Sequence, residues 1–230
     1  MDQPAQAPEP PVKPVPIQEP AVAFTSALTL AEFLAQMASR ENRRCLRRQY
    51  ESLVLPPEQQ LFCAEYPKWI FVIGLVEENT PDTLTVLPVL ARLAQAGPRL
   101  DLRIFRDEDA LSLLNELVDE DLDLEADLDE IELPLFFFFD EEWTELARWG
   151  PRPQAAEERL DQWLAANPRY QALLTDEAEE DSEELARLMS ELTHQMRIWY
   201  NDDLTQACAQ EIQALLTRIL GASPEQPESA

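Results

Sequence analysis

Two apolar runs constrain this chain more than any other feature. One is Trp69-Ile70-Phe71-Val72-Ile73-Gly74-Leu75-Val76, and the other is Leu133-Pro134-Leu135-Phe136-Phe137-Phe138-Phe139. Neither alternates with polar residues. A strand open to water on one face would alternate, so both runs read as strands covered on both faces and lying as neighbours in one sheet. Their β-branched and aromatic content suits strands, and both are far too short to cross a bilayer. Pro134 stands at the start of its run, where a strand tolerates proline.

The residues between the runs predict crossovers. Thr80 suits a helix cap, Pro81 its first position and Asp82 its positive end. Leu84, Leu87, Leu90, Ala91 and Ala94 follow at helical spacing, with Pro88 as a kink and Gly97-Pro98 as the end. Leu100 to Phe105 reads as a second strand and 109–118 as a helix. Trp143 to Trp149 reads as a fourth strand, antiparallel through the turn Asp140-Glu141-Glu142. The turn Gly150-Pro151-Arg152-Pro153 and a helix to Ala166 follow. Strand, helix, strand, helix implies parallel pairing of the first two strands.

Outside this core, assigned to 68–166, the periodicity predicts a helix over 28–50 and helical structure over 178–220. Asn201-Asp202-Asp203 would divide the latter in two. The stripe Leu185, Leu188, Met189, Leu192, Met196 and Trp199 is expected to pack on its own domain, which spans 28–220. Residues 1–20 hold seven prolines, so 1–27 is expected to be a disordered tail, as is 221–230. The start of the chain has no basic or apolar leader, so no signal peptide is expected.

Charge narrows the function classes. Eighteen basic residues against 45 acidic ones leave a net charge of −27. Such a chain repels phosphate backbones and anionic lipid, so neither nucleic acid nor membrane is an expected partner. Arg40, Arg43, Arg44, Arg47 and Arg48 form the one basic cluster. They are expected at the C-terminal half of the 28–50 helix, where cations suit the dipole, and paired internally with the acidic surplus. Three cysteines, Cys45, Cys63 and Cys208, show neither redox nor metal spacing and fit a reducing cytoplasm. Cys63 reads as an inert buried thiol, and His194, the sole histidine, as neither triad member nor metal ligand. Asp121, Asp123, Glu125, Asp127, Asp129 and Glu132 match the ligand positions of a calcium loop, but Ala126 replaces the glycine its sharp turn needs. The acidic run 107–132 is therefore expected to be a solvated loop. Glu77, Glu78 and Asp82 read as dipole partners of the helix rather than as a cation or acid/base site. No cofactor is expected.

The order β-α-β-α-Pro-β-β-α resembles the thioredoxin-like fold. The strand Trp69–Val76, the turn Glu77 to Asp82 before a helix kinked at Pro88, and Leu133-Pro134 before a buried strand carry the resemblance. The turn Arg148 to Pro153 is also similar. The chain looks most like a bacterial branch whose turn reads Glu-Asp-Trp-Cys-Gly-Asp and whose domain has helical flanks. The resemblance implies an α/β protein with a central mixed sheet of about four strands, added N- and C-terminal helices, and a cis peptide at Pro134. It also implies a partner-binding groove at Glu77, Glu78, Asn79, Thr80, Asp82, Leu133 and Pro134. The family's reactive cysteine falls on Thr80 and its tryptophan on Asn79, which leaves the site without its sulfur. The expected function is that of a redox-inactive thioredoxin-fold protein, an adaptor or chaperone-like module. Its partner would be a protein, basic in character or presented as an extended chain. The alternatives are a thiol-disulfide oxidoreductase using Cys63 and a cation-binding acidic module.

Overall fold

The computed structural model describes residues 20–106, 132–174 and 183–221. A four-stranded mixed sheet in the order β2-β1-β3-β4 organises them. The strands are β1 (Ile70–Val76), β2 (Leu100–Arg106), β3 (Leu135–Phe139) and β4 (Glu145–Trp149). β1 pairs parallel with β2 and antiparallel with β3, and β3 pairs antiparallel with β4. The two continuous apolar runs are thus the inner strands, as their lack of alternation demands.

Around the sheet run α1 (Pro20–Ser26), α2 (Leu30–Gln36), α3 (Arg40–Ser52), α4 (Pro57–Glu65), α5 (Pro81–Ala96), α6 (Gln154–Ala166) and α7 (Pro168–Leu174). α8 (Glu183–Trp199) and α9 (Thr205–Gly221) complete them, joined by a π-helical turn at Tyr200–Leu204. One face of the sheet presents Ile70, Val72, Val76, Phe136 and Phe138 to a large core shared with α5, α8 and α9. The opposite face carries Ile73, Leu75, Phe137 and Phe139, packed with Ala23, Phe24 and Ala27 of α1 and its exit. Phe24, Phe71 and Trp143 cluster there, with ring centroids 5.1 Å apart for Phe24–Phe71 and 4.7 Å for Phe71–Trp143. Gly74 is required by this packing: a Cβ would lie 2.8 Å from the Phe136 ring on the adjacent strand. On the free edge of β2, Leu28 exchanges both backbone hydrogen bonds with Ile104, at 2.9 and 2.8 Å. The edge is thereby partly covered.

Several local expectations need correction. Helix 28–50 is two helices. Thr29 caps α2 in a full capping box with Glu32, and Ser39 starts α3 afresh by accepting from the Asn42 amide at 3.2 Å. The Ser39 amide in turn donates to Glu78 Oε1 at 2.8 Å, which anchors this second start to the β1–α5 turn. The arginines therefore begin α3, and Arg40, Arg43 and Arg44 lie at its positive rather than its negative end. The expected tail 1–27 contains α1, because Ala23 and Phe24 find an apolar face to bury against. Pro57 opens α4, in the first turn where a helix accepts proline. α7 was not anticipated. Asn201–Asp203 does not end the C-terminal helix; the chain widens into a π turn and continues. The stripe of α8 is buried in its own core at Leu185, Leu188, Leu192 and Met196. The expected helix 109–118, the acidic run as far as residue 131 and the proline-rich segment before residue 20 lie outside the described residues.

Candidate functional site

Register fixes what meets at one end of the sheet. Leu75 pairs with Leu135, Val76 with Arg106, and Phe136 with Trp149. The turn after β1, the residues before β3 and the turn after β4 consequently share that end. They bring Glu77–Asp82, Leu133-Pro134 and Gly150-Pro151-Arg152 together.

Thr80 is the cap of α5. Its hydroxyl accepts from the Thr83 amide at 3.2 Å and stands 2.9 Å from the Thr83 hydroxyl. Pro81 takes the first helical position. This is local chemistry, set by a side-chain oxygen three residues before an unsatisfied amide. The Leu133–Pro134 peptide is cis, as the resemblance implies, and Gly150–Pro151 is cis as well. Pro134 is buried and Leu133 half-buried. Gly150 has φ +141°, and a Cβ there would lie 2.2 Å from the Pro134 carbonyl oxygen. No L-residue with a side chain fits that approach.

The acids of the site face different partners. Asp82 is buried and gripped by Arg152, Nε to Oδ1 at 3.0 Å and Nη2 to Oδ2 at 2.9 Å. The third nitrogen, Nη1, reaches Glu132 and Glu157, each at 3.0 Å. Burial pushes the Asp82 carboxyl above its ordinary value, against the pull of Arg152. Burial opposes the charge on Arg152, but Asp82, Glu132 and Glu157 outweigh it and hold the guanidinium above its usual range. The bidentate fork at a helix N-terminus favours the charged pair. Glu78 binds Ser39 on α3, and Asn79 accepts from the Asn42 side chain at 2.9 Å. Glu78 and Asp82 therefore engage different parts of the chain, α3 and the turn after β4. Among the described residues, no three His, Cys, Asp or Glu side chains stand together as a metal ion would need. Glu132, the last position of the calcium-loop pattern, is engaged with Arg152.

The thiols lie elsewhere. Cys45 is on α3, Cys63 on α4 and Cys208 on α9, all unpaired. Burial pushes Cys63 up to about 11 and Cys208 well above the ordinary thiol range. Burial also raises Cys45, against the nearby Arg197. His194 is exposed on α8. Arg152 was not singled out as a site residue. Its only sequence signal is a charged residue inside a Gly-Pro-Arg-Pro turn, and its partner Asp82 is 70 positions away.

A parallel β-α-β unit joined to an antiparallel hairpin that opens with a cis-proline, with a helix starting opposite that proline, defines the thioredoxin class of α/β proteins. The family profile described as thioredoxin matches residues 27–164, well over half of the chain, and the chain belongs to that family. Two crystal structures share the fold. One is a protein of unknown function from Pseudomonas aeruginosa and the other an HIV epitope scaffold. Each is 19% identical to this chain with a TM-score of 0.56, over 89% of this chain and 99% of the other. No curated protein matches in sequence.

Proposed function

We propose that this protein uses the thioredoxin fold to bind a protein partner and performs no thiol–disulfide exchange. The observation that carries the reading is Thr80. Where the resemblance would place the family's attacking sulfur, this chain has a hydroxyl occupied in capping α5. A dithiol cycle needs a thiolate there and a second thiol close by, and a threonine hydroxyl cannot take that role at neutral pH. The binding surface is the sheet end formed by Glu77, Glu78, Asn79, Thr80, Asp82, Leu133 and Pro134, and its occupant is an extended segment of another protein. The few unpaired cysteines suit a cytoplasmic setting. No helix among the described residues is long and apolar enough to cross a membrane.

The oxidoreductase alternative would depend on Cys63, whose burial and raised pKa oppose thiolate formation. An insulin-reduction assay with dithiothreitol, run on the wild type and on a triple Cys→Ser variant, tests the reading. Both are expected to be inert. Activity in the wild type that disappears in the variant would overturn it. A calcium titration addresses the remaining alternative, for which no heat at micromolar concentrations is expected.

A further inference from the structure

The arginine cluster of α3 meets no compensating carboxylate in an ion pair among the described residues. Arg40, Arg44 and Arg48 recur every four residues on one face, where like charges repel. Arg40 also occupies the first position of the helix, facing the positive end of the dipole. Internal pairing is the expectation, and the described residues do not supply it. Among the described residues, ion pairs are made by Arg103, Arg148, Arg152, Arg159, Arg169 and Arg187 and by no arginine of α3.

These three arginines line a groove of about 840 Å³ between α3 and α8. Arg197 and His194 face them from α8, Cys45 lies in the α3 wall, and Asn79 of the β1–α5 turn closes one end. Glu41 is the one carboxylate among the described lining residues. In a chain of net charge −27, four arginines and one acid among the described lining residues make a local inversion of sign. Screening over about 8 Å at physiological salt lets such a groove act apart from the distant acidic surface. Like charges held together on one helix face, without an ion pair among the described residues, are the kind of local inconsistency that marks a site.

We propose that this groove binds an extended acidic segment of a partner protein, its carboxylates paired by Arg40, Arg44, Arg48 and Arg197. Spacing favours a peptide. Residues four apart on a helix rise by about 6 Å. Alternate side chains of an extended strand are about 6.6 Å apart and point the same way. A strand with an acid at every second position therefore meets one arginine per helical turn. Guanidinium forks match carboxylates bidentately. The lining is mostly polar and charged, unlike the apolar pockets that enclose small molecules. The inference is independent of whether the protein reduces disulfides.

The test uses the full chain and a fluorescein-labelled peptide of alternating aspartate and alanine, about eight residues long, read by anisotropy in roughly 0.1 M salt. Saturable binding is expected, weakened about tenfold or more in R44A/R48A, which removes two carboxylate pairs. R43A/R47A makes the same change in net charge outside the groove lining and is expected to alter affinity less than about twofold. Bound peptide should also slow alkylation of Cys45. Four outcomes would overturn the proposal: no saturable binding, equal weakening by both double variants, equal binding of the matching asparagine–alanine peptide, or displacement by tripolyphosphate at lower concentration than by unlabelled peptide. The last would make the groove a phosphate site. All four arginines changed in these variants sit on one helix, so thermal melts of both pairs accompany the measurement, and the comparison is read only between variants whose midpoints agree with the wild type.

Discussion

Arg152 holds Asp82 through two parallel hydrogen bonds of 2.9 and 3.0 Å, and thereby ties the turn after β4 to the first turn of α5. The two side chains are 8% and 10% exposed. A pair this enclosed is less a source of net stability than a commitment: Asp82 without Arg152 would be buried uncompensated, whereas Arg152 would keep Glu132 and Glu157. It locks the end of the sheet that carries Thr80 and Pro134.

Removing one partner exposes that commitment. Arg152→Met is expected to cost about 3–5 kcal/mol by urea unfolding, since it strands Asp82 and also releases Glu132 and Glu157. The double variant Asp82→Ala, Arg152→Met should recover part of the loss. A double variant as unstable as the sum of the singles would show that the two residues act independently.

Thr80 is expected to behave as a cap. Thr80→Ala should lower stability by about 1 kcal/mol, and Thr80→Ser should retain most of it, because only the hydroxyl oxygen reaches the Thr83 amide. Thr80→Cys supplies a sulfur but no resolving thiol, since Thr83 stands three residues on. It is not expected to create insulin-reducing activity.

Thiol titration with an aromatic disulfide at pH 8 should find Cys63 and Cys208 unreactive in the native protein and all three thiols reactive in denaturant. Both side chains are at most 1% exposed. Cys63 ionises only toward about pH 11, so its thiolate fraction at pH 8 is small even when reached. Cys45, half-buried, should react first. Rapid native reaction of Cys63 would contradict this packing.

Glu32 predicts a pH dependence. Hydrogen bonds from the Thr29 amide and hydroxyl hold its carboxyl below the ordinary value in the folded chain. Its stabilising contribution is therefore fully present above the unfolded-state pKa and is lost as pH falls through the lower folded value. The melting temperature of Glu32→Ala should fall below that of the wild type at pH 7, and the gap should close in acid. A gap that persists at pH 2 would mean that the charge plays no part.

Much of this architecture is written locally. Ile70–Val76 and Leu135–Phe139 are inner strands because an uninterrupted apolar run has no face to give to water. Thr80-Pro81-Asp82 begins a helix because cap, proline and acid each satisfy a need of the first turn within three residues. The absence of sulfur at that turn was likewise legible, residue by residue. What the sequence concealed depends on residues far apart in the chain. Ser39 begins a new helix where Glu78, 39 positions on, accepts from its amide, and this puts Arg40 at the unfavourable start of α3 rather than inside one longer helix. Arg152 finds Asp82 across 70 residues because β1, β3 and β4 deliver both to one end of the sheet. The basic groove exists because α3 and α8, distant in sequence, both pack on α5 and leave a gap between them, bridged where Arg197 donates to Gln49 at 3.5 Å. Caps and strand patterns act over a few residues, within reach of the covalent chain. Charge pairing and grooves depend on which surfaces the core brings together, and here Arg40, Arg44 and Arg48 come to line a groove with Arg197.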